Sequence, residues 1–452
     1  MARHAAIQSN EGHITERTIL LRCAGLSPGS SLSLSVPQDS AQPGQPKDKE
    51  TIFQCSDFER CLSVCVRELI IGFFLAATLA MPLTVKAGGL SELPREERKT
   101  YELLDPRLPT GESVFRNFRA KRAPPWKIGY ASSYADNTWR ANVLDEFTNE
   151  LLPTFKKAGL VSELVVTQSN LDDNAQISQM RQMVDDGVDA IIICCSNLTA
   201  LNPTIEYAYS KGVPVISYSG YVTSPFAINA TENNMQGGFE ASKWLAEEIE
   251  GSGNVLLVSG ITGFASSDSF QVGATKALEY YPEINVVGQV DGKWTDSVAQ
   301  SELQKFLAAN PGRIDGIIVQ SGAESGVINA VRQSGREIVP IVLGGEASAS
   351  CFWRKNPEFV SRSFHFWPPR SEARFVWDVM MRTLEGQGPK IQSILRPAIP
   401  YTIDDVKADL PADCDPNTED WLEPKDAAWW TADAAAKYFD NPADPLSWRP
   451  TN

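Results

Sequence analysis

The side chains able to carry out chemistry are few and scattered. The chain holds three histidines, His4, His13 and His365. That is too few for a multi-histidine metal site, and a histidine-dependent nucleophile would have to rely on His365. Of eight cysteines, Cys23, Cys55, Cys61 and Cys65 precede residue 66, and Cys194, Cys195, Cys351 and Cys414 follow. Cys194 and Cys195 are neighbours on a predicted strand, so they point to opposite faces and cannot share a metal in the usual way. They read as small residues at a strand end. Cys351 and Cys414 could pair in an oxidising compartment, and spacing alone does not fix the pairing. Glu346 and Asp268 could form a carboxylate pair, but their separation is not readable from sequence. No G-x-S-x-G elbow, P-loop or G-x-G-x-x-G turn stands at a strand-to-helix junction. No catalytic residue, no metal and no cofactor is therefore expected.

The elements that must position any binding groups come from the apolar pattern. The chain has 452 residues, 42% of them apolar and 21% charged, with a formal net charge of -15. Such acidity argues against nucleic acid as a partner. From Lys127 onward short apolar runs alternate with amphipathic stretches. Strands are predicted at Lys127 to Tyr130, Val161 to Val166, Asp189 to Cys194, Val213 to Ser217, Asn254 to Ser259, Ile284 to Val290, Ile314 to Gln320, Val339 to Leu343 and Phe359 to Phe364. Val143, Phe147, Leu151 and Phe155 mark one helix face, and Ile177, Met180 and Val184 mark another, with Asp172 or Asp173 as its cap. Repeated βα units predict parallel sheets with helices on both faces. The number of strands predicts two sheets, hence two lobes, with a ligand beyond the carboxyl ends of the strands.

The flanks differ. Arg60 and Arg67 precede the apolar run Leu69 to Ala80, which Pro82 and Lys86 close, and Val85-Lys86-Ala87 offers small residues for cleavage. This is the pattern of a secretory signal peptide, assigned to residues 61–87, and the run is short for a membrane span. An uncleaved anchor is the other reading of it. Residues 1–60 are rich in Ser, Gln, Pro and Gly and read as disordered, or as a start placed too early, the true one lying nearer Val64. Residues 88–125 carry mixed charges and read as a loosely packed extension or linker. The segment 405–452 is an acidic tail with Trp421, Trp429, Trp430 and Trp448, tryptophans expected to pack on the body rather than bind ligand.

Four segments then resemble one family. They are Ile128-Gly129-Tyr130-Ala131-Ser132 followed by Asp136-Asn137-Thr138-Trp139, Gly187 to Ile193 followed by Cys194-Cys195-Ser196, Gly212-Val213-Pro214-Val215-Ile216, and Glu232-Asn233-Asn234 with Gly237-Gly238. In order and spacing, over roughly residues 126–404, they resemble the ribose-type periplasmic sugar-binding proteins of bacterial ABC importers. The resemblance implies the type I periplasmic binding protein fold, α/β, with two doubly wound parallel-sheet lobes joined by a hinge. It implies an N-terminal lobe at 126–235, a C-terminal lobe at 236–365 and a return to the first lobe at 366–404. Three chain crossings would fall near 233–237, 344–347 and 365–370.

The resemblance also implies site residues. Trp139 and Trp294 match the family's aromatic positions, and Asn137 matches a ligand-contacting asparagine that could equally be a helix cap. Glu346, in Gly344-Gly345-Glu346, falls at a ligand-contacting aspartate. This sequence departs elsewhere. Tyr218, Ser219 and Gly220 replace an Asp-Arg pair, and Cys194 stands for an asparagine. The arginine of the second lobe falls near Asp268 to Phe270, and the Asn-Asp pair reads Ser321-Gly322 with Gln320 beside it. Arg140 sits where a second aromatic is common and could pair with an acid group or with Glu346. His365 and Trp367 lie at a predicted crossing. Loss of the family's hydroxyl binders argues against ribose itself and leaves a neutral sugar, a polyol or a sugar acid.

The function so implied is capture of a sugar or polyol by hinge closure in the periplasm and delivery to an ABC permease and its ATPase, by a monomer. A ligand sensor for a membrane receptor has the same requirements. An enzyme acting on carbohydrate lacks a constellation here. A repressor would need a basic helix-turn-helix where this chain has its apolar segment and mixed-charge stretch.

Overall fold

Ala190–Cys194 shows how the apolar runs become sheet: all five residues are fully buried. Ala190, Ile192 and Cys194 join one core cluster, and Ile191 and Ile193 join the other. A strand that buries both faces must carry helices on both sides. The computed structural model describes residues 17–20, 33–36, 88–194, 197–365, 368–423 and 432–443. The chain divides into two units, Met1–Lys86 and Ala87–Asn452.

In the first unit β1 (Arg17–Leu20) pairs antiparallel with β2 (Ser33–Val36). The compositional reading of residues 1–60 as disordered did not include this pair. The polar-apolar alternation of Ser33-Leu34-Ser35-Val36 is the local signal for it. The apolar run at 61–87 lies outside the described residues. Among the described residues no helix is long and apolar enough to cross a membrane.

The second unit is two α/β lobes. The first contains β3 (Trp126–Ser132), α1 (Thr138–Asp145), β4 (Val161–Gln168), α2 (Asp173–Asp185), β5 (Ala190–Cys194), α3 (Asn202–Ser210), β6 (Val215–Tyr218) and β7 (Ala227–Glu232). The second contains α4 (Asn234–Glu248), β8 (Ser252–Ser259), α5 (Ala265–Leu278), β9 (Glu283–Asp291), α6 (Asp296–Ala309), β10 (Gly316–Val319), α7 (Glu324–Gln333), α8 (Ala347–Lys355) and β11 (Arg362–His365). The chain returns through α9 (Pro369–Leu384) and β12 (Ser393–Arg396) to the first lobe, then through β13 (Ile399–Thr402) and α10 (Ile403–Asp409) to the second. A last helix, α11 (Ala432–Tyr438), contributes Ala435 and Tyr438 to the first lobe's core.

The first lobe's sheet has six parallel strands in the order β12-β7-β6-β5-β3-β4. The second has three parallel strands in the order β10-β8-β9, and β11 pairs antiparallel with β13 beside them. The strand predicted at Val339 to Leu343 is reduced to one bridge, Ile317 to Ile341. Pro340 has no N–H to give, and Gly344-Gly345 follows. β7, β12 and β13 were not anticipated. The predicted apolar helix face is present, with Val143, Phe147, Leu151 and Phe155 fully buried. It is not one regular helix: Glu146–Leu151 is a π-helical turn. Pro153, which cannot donate back to Asn149, follows directly. Asp172 caps α2, accepting from Asn174 N at 2.9 Å and Ala175 N at 3.1 Å.

Three expectations about connections are corrected. Residues 344–347 are not a crossing. They stay in the second lobe, where Phe364 N donates to Leu343 O at 3.4 Å and α8 begins at Ala347. Residues 399–404 belong with the second lobe, through β13 and its partner β11. The chain therefore passes between lobes at 232–234, from β11 to α9 and at 396–399, and α11 lies again with the first lobe. Residues 88–125 are not a loose linker. Leu93, Tyr101, Leu108 and Phe115 are buried in the first lobe's core. Tyr101 Oη donates to Ser393 O at 2.8 Å and accepts from Leu395 N at 3.2 Å. These groups cover the β12 edge of the sheet, which would otherwise be open. The extension also reaches the other lobe, where Ser269 Oγ donates to Asp105 at 2.7 Å.

Candidate functional site

The carboxyl ends of β3, β6, β7 and β10 face a cavity between the lobes. From the first lobe Asn137, Trp139, Arg140, Ser219 and Glu232 line it, and Asn234 joins them at the head of α4. From the second come Ser266, Trp294, Gln320, Ser321 and Gly322, and Trp421 arrives from the tail.

The first wall follows from the start of α1. Asn137 is the cap, its Oδ1 accepting from Arg140 N at 2.9 Å. Its Nδ2 donates across the cleft to Trp294 O at 3.2 Å. Capping and contact with the opposite lobe are thus the work of one side chain. Trp139 stacks at 17° on Tyr218, with ring centroids 6.2 Å apart. Tyr218 shares a 2.6 Å hydroxyl contact with Tyr130. The Arg140 guanidinium lies 5.3 Å from the Trp139 ring. It is only 5% exposed, and its Nη1 donates to Cys194 Sγ. Burial works against its charge, but a guanidinium keeps its proton inside proteins. Burial pushes the Cys194 thiol up, so it stays neutral.

Ser219 has φ +50°, a left-handed conformation for a non-glycine residue at the turn after β6. At the end of β7, burial and the neighbouring Glu372 push the Glu232 carboxyl well up. Glu372 is itself ion-paired with Arg396.

The second wall hangs on Trp294, which has φ +52° and meets Phe264 edge-on at 5.5 Å. A Cβ built on Gly260 would lie 2.0 Å from the Trp294 ring, so Gly260 leaves the space in which the indole sits. Gln320 uses both ends of its amide: Oε1 accepts from Gly260 N at 3.1 Å and Nε2 donates to Ser266 O at 3.0 Å. It props the loops that line the cavity. Ser321 Oγ donates to Gly344 O at 3.3 Å.

Trp421 was read from sequence as a packing residue, yet it lines the cavity. The tail is pinned by a Cys351–Cys414 disulfide. Beside it Ala347 N donates to Asp420 O and Leu422 N donates to Gly345 O, both at 2.9 Å. Trp421 is 5% exposed, and its Nε1 has no hydrogen-bond partner. The sequence signal for it was one tryptophan seven residues after Cys414. Glu232, Asn234 and Ser266 also lie in the lining without having been named as site residues, and Gly322 lies there beside Ser321. The first two stood inside the Glu232-Asn233-Asn234 segment.

Several predicted residues lie elsewhere. Cys194 is behind Arg140 rather than in the lining. Asp268 accepts from Gly263 N at 3.0 Å, closing the turn before α5. Phe270 is fully buried in the second lobe's core, because it falls on the inward face of α5. Glu346 does not pair with Arg140. It accepts from Ser325 N at 3.1 Å, and burial and Glu324 push its carboxyl well up. No hydrogen bond joins Glu346 to Asp268 among the described residues. His365 pairs through its backbone with Ile399 in the β11–β13 ladder. Trp367, Trp429, Trp430, Trp448 and Cys195 lie outside the described residues.

The model of the family described as "Periplasmic binding protein domain" matches residues 128–388. The xylitol-binding protein of Mycolicibacterium smegmatis is 28% identical over 195 residues, 43% of this chain and 56% of that protein. The D-xylose-binding periplasmic protein of Escherichia coli is 28% identical over 201 residues, 42% of this chain and 60% of that one. The chain thus spans about three-fifths of the length of these relatives. An ABC transporter solute binding protein from Thermobispora bispora superposes with a TM-score of 0.59 at 22% identity, covering 68% of this chain and 91% of that one. These relatives are binding proteins by name, and the solved structure is similar in fold.

Proposed function

We propose, on the premise that this chain belongs to the periplasmic binding protein domain family, that it captures a sugar or polyol between its lobes and delivers it to an ABC-type importer. The observation that carries this is the cavity at the strand ends, where Trp139, Trp294 and Trp421 come from the first lobe, the second lobe and the tail. Indole faces cover sugar C–H groups, and Asn137, Asn234, Ser266 and the Trp421 N–H supply partners for hydroxyls. A guest touching both lobes stabilises the closed arrangement by its contacts with each. No bond in the guest changes. The names of the relatives, which bind xylitol and D-xylose, support the ligand class.

Export would place the protein in the periplasm after cleavage near Ala87, and the closed lobes would dock as a monomer on the permease with its ATPase. Thermal-shift and calorimetric titration with pentoses, hexoses and their polyols tests the reading. A true ligand at 100 times its Kd raises stability by about 2.7 kcal/mol. Trp139→Ala and Trp294→Ala are expected to abolish that gain while the far-ultraviolet dichroism stays unchanged. Full ligand-induced stabilisation in both variants would sink the assignment. Amino-terminal sequencing of the exported protein is expected to begin at or just after Ala87.

A further inference from the structure

Arg140 is a buried cation that lines the cavity and has no carboxylate within ion-pair distance among the described residues. Its hydrogen bond to the Cys194 thiol brings no compensating charge, and its Nε has no partner at all. Other arginines of the same lobe are matched. Arg382 is paired with Asp378 at 2.7 Å, Arg374 with Glu146 at 2.7 Å, and Arg396 with Glu372. Buried charges in folded proteins are paired, because an isolated one loses its hydration with nothing in return. Arg140 breaks that pattern, and it does so where a ligand would lie.

Glu232, in the same lining, does not supply the missing charge. No ion pair joins it to Arg140, and it accepts from Thr231 Oγ1 at 2.9 Å. It stands beside Glu372, and one arginine, Arg396, serves the two carboxyls. Burial and Glu372 favour a proton on Glu232, which leaves it neutral. The charges around Glu232, Glu372 and Arg396 then sum to zero, and Arg140 is left over. Arg140 also stands in the first turn of α1, so the helix adds its positive end to the same wall.

We propose that the ligand is a polyhydroxy acid carrying one carboxylate, an aldonate or uronate, and that Arg140 holds that carboxylate while the tryptophans cover the carbon chain. This rests on the sugar or polyol reading of the site and narrows it. It also gives Arg140 a reason to sit where an uncharged side chain would be cheaper to bury. A guanidinium presents two parallel N–H donors to a carboxylate, a geometry that a neutral polyol cannot match.

The test uses matched compounds that differ only in the acid group. The protein is titrated calorimetrically at pH 7 with D-xylonate against xylitol and D-xylose, D-gluconate against D-glucitol and D-glucose, and D-galacturonate against D-galactose. At least one acid is expected to bind ten-fold or more tightly than its neutral partners. Arg140→Gln is expected to erase that preference, and Arg140→Lys to keep part of it. If the neutral member binds as tightly as the acid in every pair, or if Arg140→Gln leaves the preference intact, the inference falls and the sugar or polyol reading stands. If no compound of the panel binds, both fall. Should Arg140→Gln not fold, the paired affinities of the unaltered protein decide.

Discussion

Asn137 Nδ2 and the Trp294 carbonyl meet at 3.2 Å across the cleft, joining the first turn of α1 to the loop before α6. The same asparagine caps its own helix. Closure and local helix stability therefore depend on opposite ends of one amide. Asn137→Ser separates them, since serine caps well but cannot span the cleft. Its melting temperature without ligand should stay within a few degrees of the parent. Ligand affinity should fall about 2- to 10-fold, the range for one net hydrogen bond. Calorimetry checks this, and unchanged affinity would mean the contact does not contribute to closure.

Gly260→Ala should damage binding from within the wall. The new methyl would occupy space held by the Trp294 ring, and the indole must move. Loss of ten-fold or more in affinity is expected, with a near-ultraviolet dichroism change at the tryptophan bands. A variant binding normally would show that Trp294 is not a fixed plate.

Cutting the Cys351–Cys414 bridge, which closes a separation of 63 residues, should cost about 2–4 kcal/mol of stability. It should also weaken ligand binding, because the bridge lies just ahead of Trp421. Trp421→Phe keeps an aromatic ring and loses the unpartnered N–H together with the volume of the second ring. A roughly 2- to 10-fold affinity loss in that variant would place the indole in the binding wall.

Stability should fall as pH rises from about 5 to 7. Asp296 is pushed up to about 6, chiefly by burial and by Glu324, although Gly326 N opposes this. Glu346 beside them is raised as well, and Glu419 adds repulsion. A carboxyl whose folded pKa is raised binds more proton folded than unfolded. Its favourable contribution is present at low pH and is lost as pH passes through the folded value. The change expected is about 1–3 kcal/mol. Asp296→Asn should flatten the slope of melting temperature against pH between 5 and 7. A parent equally stable at both ends would contradict the sign.

The sheet pattern was legible because buried parallel strands are unbroken apolar runs, as at Ala190–Cys194. β7 was not, since Ala227–Glu232 mixes Asn, Thr and Glu that are buried by hydrogen bonding. Asn229, for example, bonds Val222 and Ser393. Among the site candidates, Asn137, Trp139, Arg140, Ser219, Trp294, Gln320 and Ser321 lie in the lining. They follow strand ends, which a sequence marks well. Phe270 and Asp268 do not, because an error of about two residues on α5, roughly half a turn, exchanges its inward and outward faces. Trp421 was missed because nothing in a tail's composition says where a disulfide will carry it.

Residues 420–423 fasten to both halves of the molecule. Leu422 and Asp420 bond the loop around Gly345 to Ala347. Glu423 accepts from the backbone N–H groups of Arg370 and Ser371 at 2.9 and 3.0 Å, at the head of α9. Arg370 adds an ion pair to Asp420 at 2.8 Å. A tether of this kind shortens the swing available to the halves. Small-angle scattering should accordingly record a smaller change in radius of gyration on ligand addition than after Glu423→Ala. An untethered pair must give up more rotational freedom each time it shuts, so the strap trades breadth of opening for a tighter grip on a guest at low concentration.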